Sequence, residues 1–523
     1  MSFSSFCLLV LCALAIGVKH TCTEAKRDHG SSIMSSLQVA TNSLQNTGGS
    51  QCESLMKDLF NVAKVKDSKF HLVPLETPAN IGMRIGQVLG AQYNRQFKEA
   101  GGYDADGWFS GCCGAGTEYD HFIHSKVNSK FDMESITDKH MLIVVDLQQD
   151  FTTGSFGQPC WSSGSQRFSS FSSNISKLAE AFVRKGGMVV ATKDFHPVGH
   201  CSFEHQDEQK HCKNSKDPLI HEDRYQNDFP PHCAFKVLES GKAKPLPSNE
   251  APFCTKFGGN DLKLPFCTAD HTGADFEKDF AEGLKGIFDK KYTADGKSWT
   301  GADKVRVVYK GFNEYYDSFS GIAHLKTATD NKTTGTVEPN EAKYTGGYAL
   351  PENEMKEADC LTPDGLESDK CHPSEDQMAD PASLMHSLLD IIDDFKITHV
   401  VTVGLVYDFC VRETSIFARE AQGATHPVTN KKYEHLEVTM LADLTSPAFD
   451  GKPGAPYMCE KGEGGPEFAG SGDDFRVPID KDGGKEDWPY CKQGLGTTSS
   501  YEAVLSDYEH AGVEVATIAD SGP

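Results

Sequence analysis

Basic residues are in short supply. Over 523 residues, 51 Lys and Arg stand against 75 Asp and Glu, a formal charge of −24. A surface of that sign repels phosphate backbones and anionic lipid, which argues against nucleic acid or a membrane surface as partner. Apolar residues are also sparse, at 38%, so long polar insertions around a folded core are expected. After residue 18 no apolar run is long enough for a membrane helix. The run that does exist, Phe6-Cys-Leu-Leu-Val-Leu-Cys-Ala-Leu-Ala-Ile-Gly-Val18, is too short to span a bilayer comfortably. It marks residues 1–25 as a signal peptide, although no Lys or Arg precedes it. The expectation is a chain in the secretory pathway, secreted or held in an endomembrane lumen, with no membrane span after processing.

Cysteine, by contrast, is plentiful, at 17. Setting aside Cys7 and Cys12 and holding Cys410 free leaves an even number, which permits full disulfide pairing in an oxidising compartment. Cleavage after Cys22 would leave one thiol unpaired. Asn174-Ile-Ser176 and Asn331-Lys-Thr333 are glycosylation sequons that matter only in that compartment.

From about Asp138 the pattern alternates strand and helix. Met141–Val145, Met188–Thr192, Val305–Tyr309, His399–Val403, Glu437–Leu441 and Val513–Ile518 are short apolar strands. Ser176–Arg184, Ser383–Phe395 and Ser500–Glu509 carry helical spacing. Continuous apolar strands between amphipathic helices predict a three-layer α/β/α domain around a mostly parallel six-stranded sheet, with function gathered beyond the strand carboxyl ends. Residues 26–137 form an N-terminal extension containing Cys52, Cys112 and Cys113, and no motif there carries chemistry. The domain itself covers 138–523. Insertions near 236–268, 326–381 and 449–497 each hold or flank two cysteines, which predicts internally stapled loops.

Four segments carry chemistry. Thr398–Phe409 is a β-branched run that turns sharply into a helix opening at Cys410, where unpaired N–H groups and the helix dipole favour a thiolate. A small buried core cysteine is the commoner meaning of such a segment alone. The first strand ends in Asp146-Leu-Gln-Gln-Asp-Phe151, and its first acid can serve as a general base if a thiol is near, or merely as a turn residue. The second strand ends in Asp194-Phe-His196, whose i, i+2 spacing presents an oxygen and a nitrogen to one side. His232 in Phe229-Pro-Pro-His-Cys233 is a third candidate ligand. The third strand ends in Lys310, either a solvated cation or one placed to hold a thiolate and an oxyanion.

Together these residues match a family. The chain resembles the isochorismatase-like cysteine hydrolases and, within them, the nicotinamidases (pyrazinamidases). The likeness rests on Val145–Phe151, Asp194–Pro197, Phe229–Cys233, Thr272–Phe276, Lys310-Gly311 with Asp317–Ser320, and Gly404–Val411, in the family's order, over about residues 138–520. The resemblance implies a Cys410–Lys310–Asp146 triad with an oxyanion hole from the N–H groups of Val406 and Cys410, after a cis peptide at Leu405–Val406. It implies one divalent metal, zinc with iron or manganese as alternatives, on Asp194, His196 and His232, with His200 as a fourth ligand or a partner to one. Phe151 and Phe229 would line the ring of the substrate. The implied reaction converts nicotinamide to nicotinate and ammonia through a Cys thioester, and the chain leaves room for a homo-oligomer.

The departures from the family are equally specific. Val406 and Tyr407 stand where Ala and Thr are usual, which predicts a bulkier oxyanion loop and a narrower pocket. Phe229 and Phe195 replace Trp, and the 236–268 insertion is placed to cap the site. Retention of all three ligand positions argues against an isochorismatase. Two alternatives are a related hydrolase of another small amide or carbamoyl compound, and a non-catalytic secreted protein on a retired hydrolase core, in which Cys410 would be oxidised or occluded.

Overall fold

The chain was described from a computed structural model. The described residues are 119 and 121–518, except 153, 156–165, 204–230, 257–266, 295, 324–343, 345, 352–360, 362–370, 422–435 and 448–498. All of them belong to one of the chain's two compact units, Gln96–Pro523. The expected signal peptide, the 449–497 insertion and Phe229 lie outside the described residues, as does most of the N-terminal extension.

Fourteen strands are described. Nine form the central sheet: β1 (Ser129–Phe131), β2 (His140–Val145), β3 (Met188–Asp194), β9 (Val305–Lys310), β10 (Tyr348–Ala349), β11 (His386–Ser387), β12 (His399–Leu405), β13 (Glu437–Ser446) and β14 (Glu514–Ile518). A second sheet joins β4 (His196–Pro197), β5 (Ala234–Val237) and β6 (Ala243–Pro245), and β7 (Lys291–Ala294) pairs with β8 (Lys297–Thr300). The central order is β1-β14-β13-β12-β2-β3-β9-β10-β11. Every pairing from β1 to β9 is parallel, and β10 and β11 add antiparallel edges. The six expected strands are the long ones, and the sheet is extended by three short strands. One of these, β1, lies before residue 138, so the folded domain starts earlier than the predicted boundary. Tyr119 and Ile123 are part of its core as well.

The helices lie on both faces: α1 (Gln166–Arg184) and α2 (Lys278–Phe288) on one, α3 (Leu388–Asp394), α4 (Cys410–Ala421) and α5 (Ser500–Ala511) on the other. Strand β2 shows why. Met141, Ile143 and Val145 point to one layer, against Ile416, Phe417, Val504 and Tyr508. Leu142 and Val144 point to the other, against Ile175, Leu178, Phe182, Phe280 and Leu284. A strand buried on both faces has no room for polar alternation, hence the continuous apolar run. Capping fixes the helix starts: Glu277 accepts from the Phe280 N–H, Ser387 from Asp390 and Ser499 from Glu502. Among the described residues no helix is long and apolar enough to cross a membrane.

The chain runs from β2 outward through β3 to β9, then returns to place β12, β13 and β14 on the opposite side. Beyond the carboxyl ends of β2 and β12, where the winding reverses, adjoining loops separate and leave a crevice. Of the three insertions only the first, 236–268, is mostly described, and it contributes β6. A disulfide joins Cys254 to Cys267 within the first, as expected of an internal staple. Cys201 and Cys371 are also disulfide-bonded, whereas Cys233 and Cys410 are free, so pairing is not complete beyond Cys410.

Two consequences follow for stability. At Gly404 φ is +109°, and an added Cβ would meet the Val145 carbonyl oxygen at 2.2 Å. At Gly241 φ is +76° with open space around it. Gly241→Ala should therefore cost only the left-handed penalty of about 1–2 kcal/mol. Gly404→Ala should cost well beyond that by forcing β12 from β2, and equal losses in urea unfolding would contradict this packing.

At the opposite end of these strands His140 stacks on His399 with ring centroids 4.5 Å apart, and its Nδ1 accepts from the Thr137 N–H at 3.1 Å. Burial, then the neighbouring His399, push its pKa from 6.5 down to about 4, against the pull of Glu437. The folded chain thus keeps this ring neutral while the unfolded chain protonates it near 6.5. Its stabilisation is whole above pH 6.5 and is lost as pH falls towards 4. Unfolding free energy should fall less steeply over that window in His140→Gln than in the parent, and identical slopes would show that His140 is not the group responsible.

Candidate active site

Three parallel strands deliver charged side chains to one place. Asp146 follows β2 directly, Asp194 ends β3 and Lys310 ends β9. Lys310 Nζ lies 2.9 Å from Asp146 Oδ2 and 3.0 Å from Asp194 Oδ1, and it donates to the Ser318 carbonyl at 3.0 Å. It also reaches Cys410 Sγ at 3.7 Å. Lys310 and Asp146 are wholly buried, so each charge depends on the others rather than on water. Asp146 takes up a left-handed φ of +45°. Thr192 holds it there, accepting from its N–H at 3.0 Å and donating to Oδ1 at 2.6 Å.

The two carboxylates are driven apart. Burial tends to raise Asp194, but His196 and Lys310 outweigh it and hold this acid well below the usual carboxylate range. Burial raises Asp146, and the Asp194 charge adds to that rise against the Lys310 ammonium. Burial lowers Lys310, yet Asp146 and Asp194 more than compensate and keep it a cation. Such a split leaves Asp194 an anion and gives Asp146 the character of a proton carrier.

Cys410 opens α4 as its first residue and is a free, buried thiol. Burial pushes the thiol well up, Lys310 opposes this, and Asp146 adds to the rise. Burial thus works against the thiolate that the helix end alone would favour, and the Asp146 side chain lies in hydrogen-bond reach of the thiol. The Leu405–Val406 peptide is cis, as expected. The turn Val406–Cys410 is closed by bonds from the Phe409 and Val411 N–H groups to the Val406 carbonyl, each 3.1 Å, and from the Tyr407 N–H to Ser446 O at 2.8 Å. None of these uses the N–H of Val406 or Cys410.

Beside the thiol, one ligand atom from each of Asp194, His196 and His232 lies within 4.8 Å of the other two. His196 Nδ1 faces the Gly311 carbonyl at 2.7 Å, so in the neutral ring the proton sits on Nδ1 and Nε2 bears a lone pair. That Nε2 points at Asp194 Oδ2, 3.1 Å away. His232 Nε2 approaches the same oxygen at 3.4 Å. A carboxylate oxygen faced by two imidazole nitrogens is a donor set that fits a divalent cation. His200 stacks on His196 at 4.0 Å, with Nδ1 on Ser202 Oγ at 2.7 Å and Nε2 on the Tyr316 carbonyl at 3.1 Å. Both nitrogens are thus engaged within the protein, and His200 also belongs to a second group, with His196 and Asp317, whose ligand atoms lie within 4.8 Å of one another.

His232 arrives from far along the chain because β5 pairs with β4, with Ala234 opposite His196. Phe151 meets the His232 ring edge-on at 5.5 Å. Gly311 has φ +68°, and a Cβ there would lie 2.5 Å from His196 Cε1, so only glycine lets the ring seat.

Several contributors were not singled out from sequence. Gln148 clamps β3 by accepting from the Asp194 N–H and donating to the carbonyls of Asp194 and Ala274, all between 2.8 and 2.9 Å. Asp150 accepts from the Cys233 N–H at 2.7 Å, next to His232. Phe203 covers His196, His200 and His232 with centroids 5.4–5.5 Å away. A buried amide and acid one turn beyond Asp146 were visible as unusual polar residues, but their partners were not. Tyr407 departs from expectation: its hydroxyl donates to Tyr501 O at 3.0 Å, so the ring packs on α5 and does not narrow the crevice.

No protein-family model matches the chain, and no curated protein matches it. Among solved structures it is similar to a nicotinamidase/pyrazinamidase of Acinetobacter baumanii, at 16% identity over 73% of this chain and 96% of that one, with a TM-score of 0.31. A yeast nicotinamidase bound to the inhibitor nicotinaldehyde aligns at 14% identity over 72% of this chain and 99% of that one, with a TM-score of 0.32. A pyrazinamidase of Pyrococcus horikoshii in complex with zinc aligns at 14% over 73% and 99%, with a TM-score of 0.28. Likenesses this remote leave the side-chain arrangement to stand by itself.

Proposed function

We propose that this chain is a metal-dependent cysteine amidohydrolase that converts nicotinamide to nicotinate and ammonia. The observation that carries the reading is the convergence of a thiol, an ammonium and two carboxylates of opposite pKa behaviour at adjacent strand ends, with Lys310 Nζ 3.7 Å from Cys410 Sγ and 2.9 Å from Asp146 Oδ2. The resemblance in sequence motifs narrows the amide to a pyridine carboxamide.

Each residue then has a task. Cys410 Sγ attacks the carboxamide carbon while Asp146 takes the thiol proton, so no free thiolate has to persist in a dehydrated site. The carbonyl electrons move onto oxygen, which the N–H groups of Val406 and Cys410 receive. Asp146 gives its proton to the nitrogen, the C–N bond breaks and ammonia leaves a thioester. Asp146 then deprotonates a water, which attacks the acyl carbon. The C–S bond breaks and the proton returns to sulfur. Lys310 remains charged throughout and holds both anions in register. Asp194, His196 and His232 would hold a divalent ion, zinc by the character of two imidazoles and a carboxylate, which would supply a Lewis-acidic point for a pyridine nitrogen. Phe151 walls that side of the ring.

The retired-core alternative expected an oxidised or occluded Cys410, and the thiol here is buried but free. Steady-state assays of nicotinate release separate these readings. Cys410→Ala and Asp146→Asn should each lower kcat by at least about 10³-fold, and removing metal with a chelator should abolish turnover of nicotinamide until zinc is restored. Turnover that survives chelation would redirect the reading to another small amide. Absence of turnover in the reduced, metal-loaded chain would overturn it.

A further inference from the structure

Helix α5 touches the nucleophile's surroundings on both sides. Upstream of Cys410, the Tyr407 hydroxyl donates to the Tyr501 carbonyl at 3.0 Å, and the Tyr508 hydroxyl donates back to the Tyr407 carbonyl at 2.7 Å. Downstream, Arg412 Nε and Nη2 lie 2.9 and 2.5 Å from Asp507 Oδ2. Tyr407, Tyr508, Arg412 and Asp507 are all essentially inaccessible to solvent. Tyr119 packs against Tyr407 and Tyr501 at 5.0 and 5.3 Å, filling the space behind the turn.

These contacts bear on orientation rather than on bulk packing. The Tyr407 N–H is bound to Ser446 O on β13, and the Tyr407 carbonyl is bound to Tyr508 on α5. Both peptide planes flanking Tyr407 are therefore fixed from outside the turn. A planar peptide unit has only its two flanking dihedrals to turn about, so fixing two successive planes sets the direction of the backbone between Val406 and Cys410. The Arg412 pair fixes the first turn of α4 in the same way. Asp146 and Lys310 lie beside the sulfur, whereas the contacts to α5 act on the turn itself.

We propose that α5 is the positioning element of the oxyanion turn, with Tyr508 as its principal positioning residue and the Arg412–Asp507 pair anchoring the helix start. The inference rests on the amidase reading for its kinetic consequence, but its structural content is independent of the substrate. Neither Tyr508 nor Tyr407 touches Cys410, Lys310 or Asp146 in the contacts described above.

Tyr508→Phe is the informative variant, since it deletes one oxygen and keeps the ring. Arg412→Ala would strand a buried carboxylate and is less suitable. The first readout is amide hydrogen exchange, measured by mass spectrometry on the full chain. Exchange of the peptide covering Val406–Val411 should rise about tenfold, while that covering Met141–Val145 stays unchanged. Tyr407→Phe, which loses the bond to Tyr501, should loosen the same peptide. Unchanged exchange in both variants overturns the proposal. The second readout is kinetic: kcat for nicotinamide should fall about tenfold with KM within twofold, the pattern of an interaction made only in the transition state. A rise in KM at constant kcat would also overturn it. If the parent chain turns over no nicotinamide, the amidase reading fails, and the exchange result still decides whether α5 holds the turn.

Discussion

A buried ammonium is the constraint on which the rest of the molecule depends. Removing a lysine charge from water costs several kcal/mol unless anions and hydrogen-bond acceptors replace the solvent. Lys310 meets that need with Asp146, Asp194 and the Ser318 carbonyl, all within 3.0 Å. To do so, three neighbouring parallel strands must end at one level. Asp194 and Lys310 are register partners in β3 and β9, and Asp146 enters from β2 through a left-handed residue clamped by Thr192. A shift of one residue in any of these strands would turn its terminal side chain to the opposite face of the sheet.

The same cluster explains why a protonated thiol suits the site. Two carboxylates around one ammonium leave surplus negative charge, and a thiolate would add to it away from bulk solvent. Burial and Asp146 accordingly push Cys410 up while Lys310 restrains it. The carboxyl raised towards protonation is the one beside sulfur, and the carboxylate held ionised is the one facing His196 and His232. Position alone separates the two acids, one placed to carry a proton and the other to face a cation.

Much of this was legible in the sequence, for identifiable reasons. Strands β2, β3 and β9 announced themselves because they are covered on both faces and have little polar alternation. The strand-end acids, Lys310 and Cys410 stood out because polar groups are expensive at the end of such runs. What escaped depends on partners distant in sequence. Strands β10 and β11, two residues each, carry no pattern, and β1 has only Phe131 fully inside. His232 joins His196 through the β4–β5 pairing, which no local spacing encodes. Tyr407 was expected to crowd the crevice from its place in the loop, yet its hydroxyl reaches Tyr501 on α5. His200 carried two options in sequence, and its bond to the distant Tyr316 carbonyl has no local signature there.

The central claim is that Cys410 carries the acyl group. Rapid mixing of reduced, metal-loaded chain with nicotinamide, quenched in acid and followed by peptide mass spectrometry, measures this directly. The account predicts a nicotinoyl thioester on the peptide containing Cys410 that builds up in the first turnover and decays as nicotinate appears. Release of nicotinate with no adduct at any quench time, and with the Cys410→Ala chain retaining the parent's turnover, would contradict it.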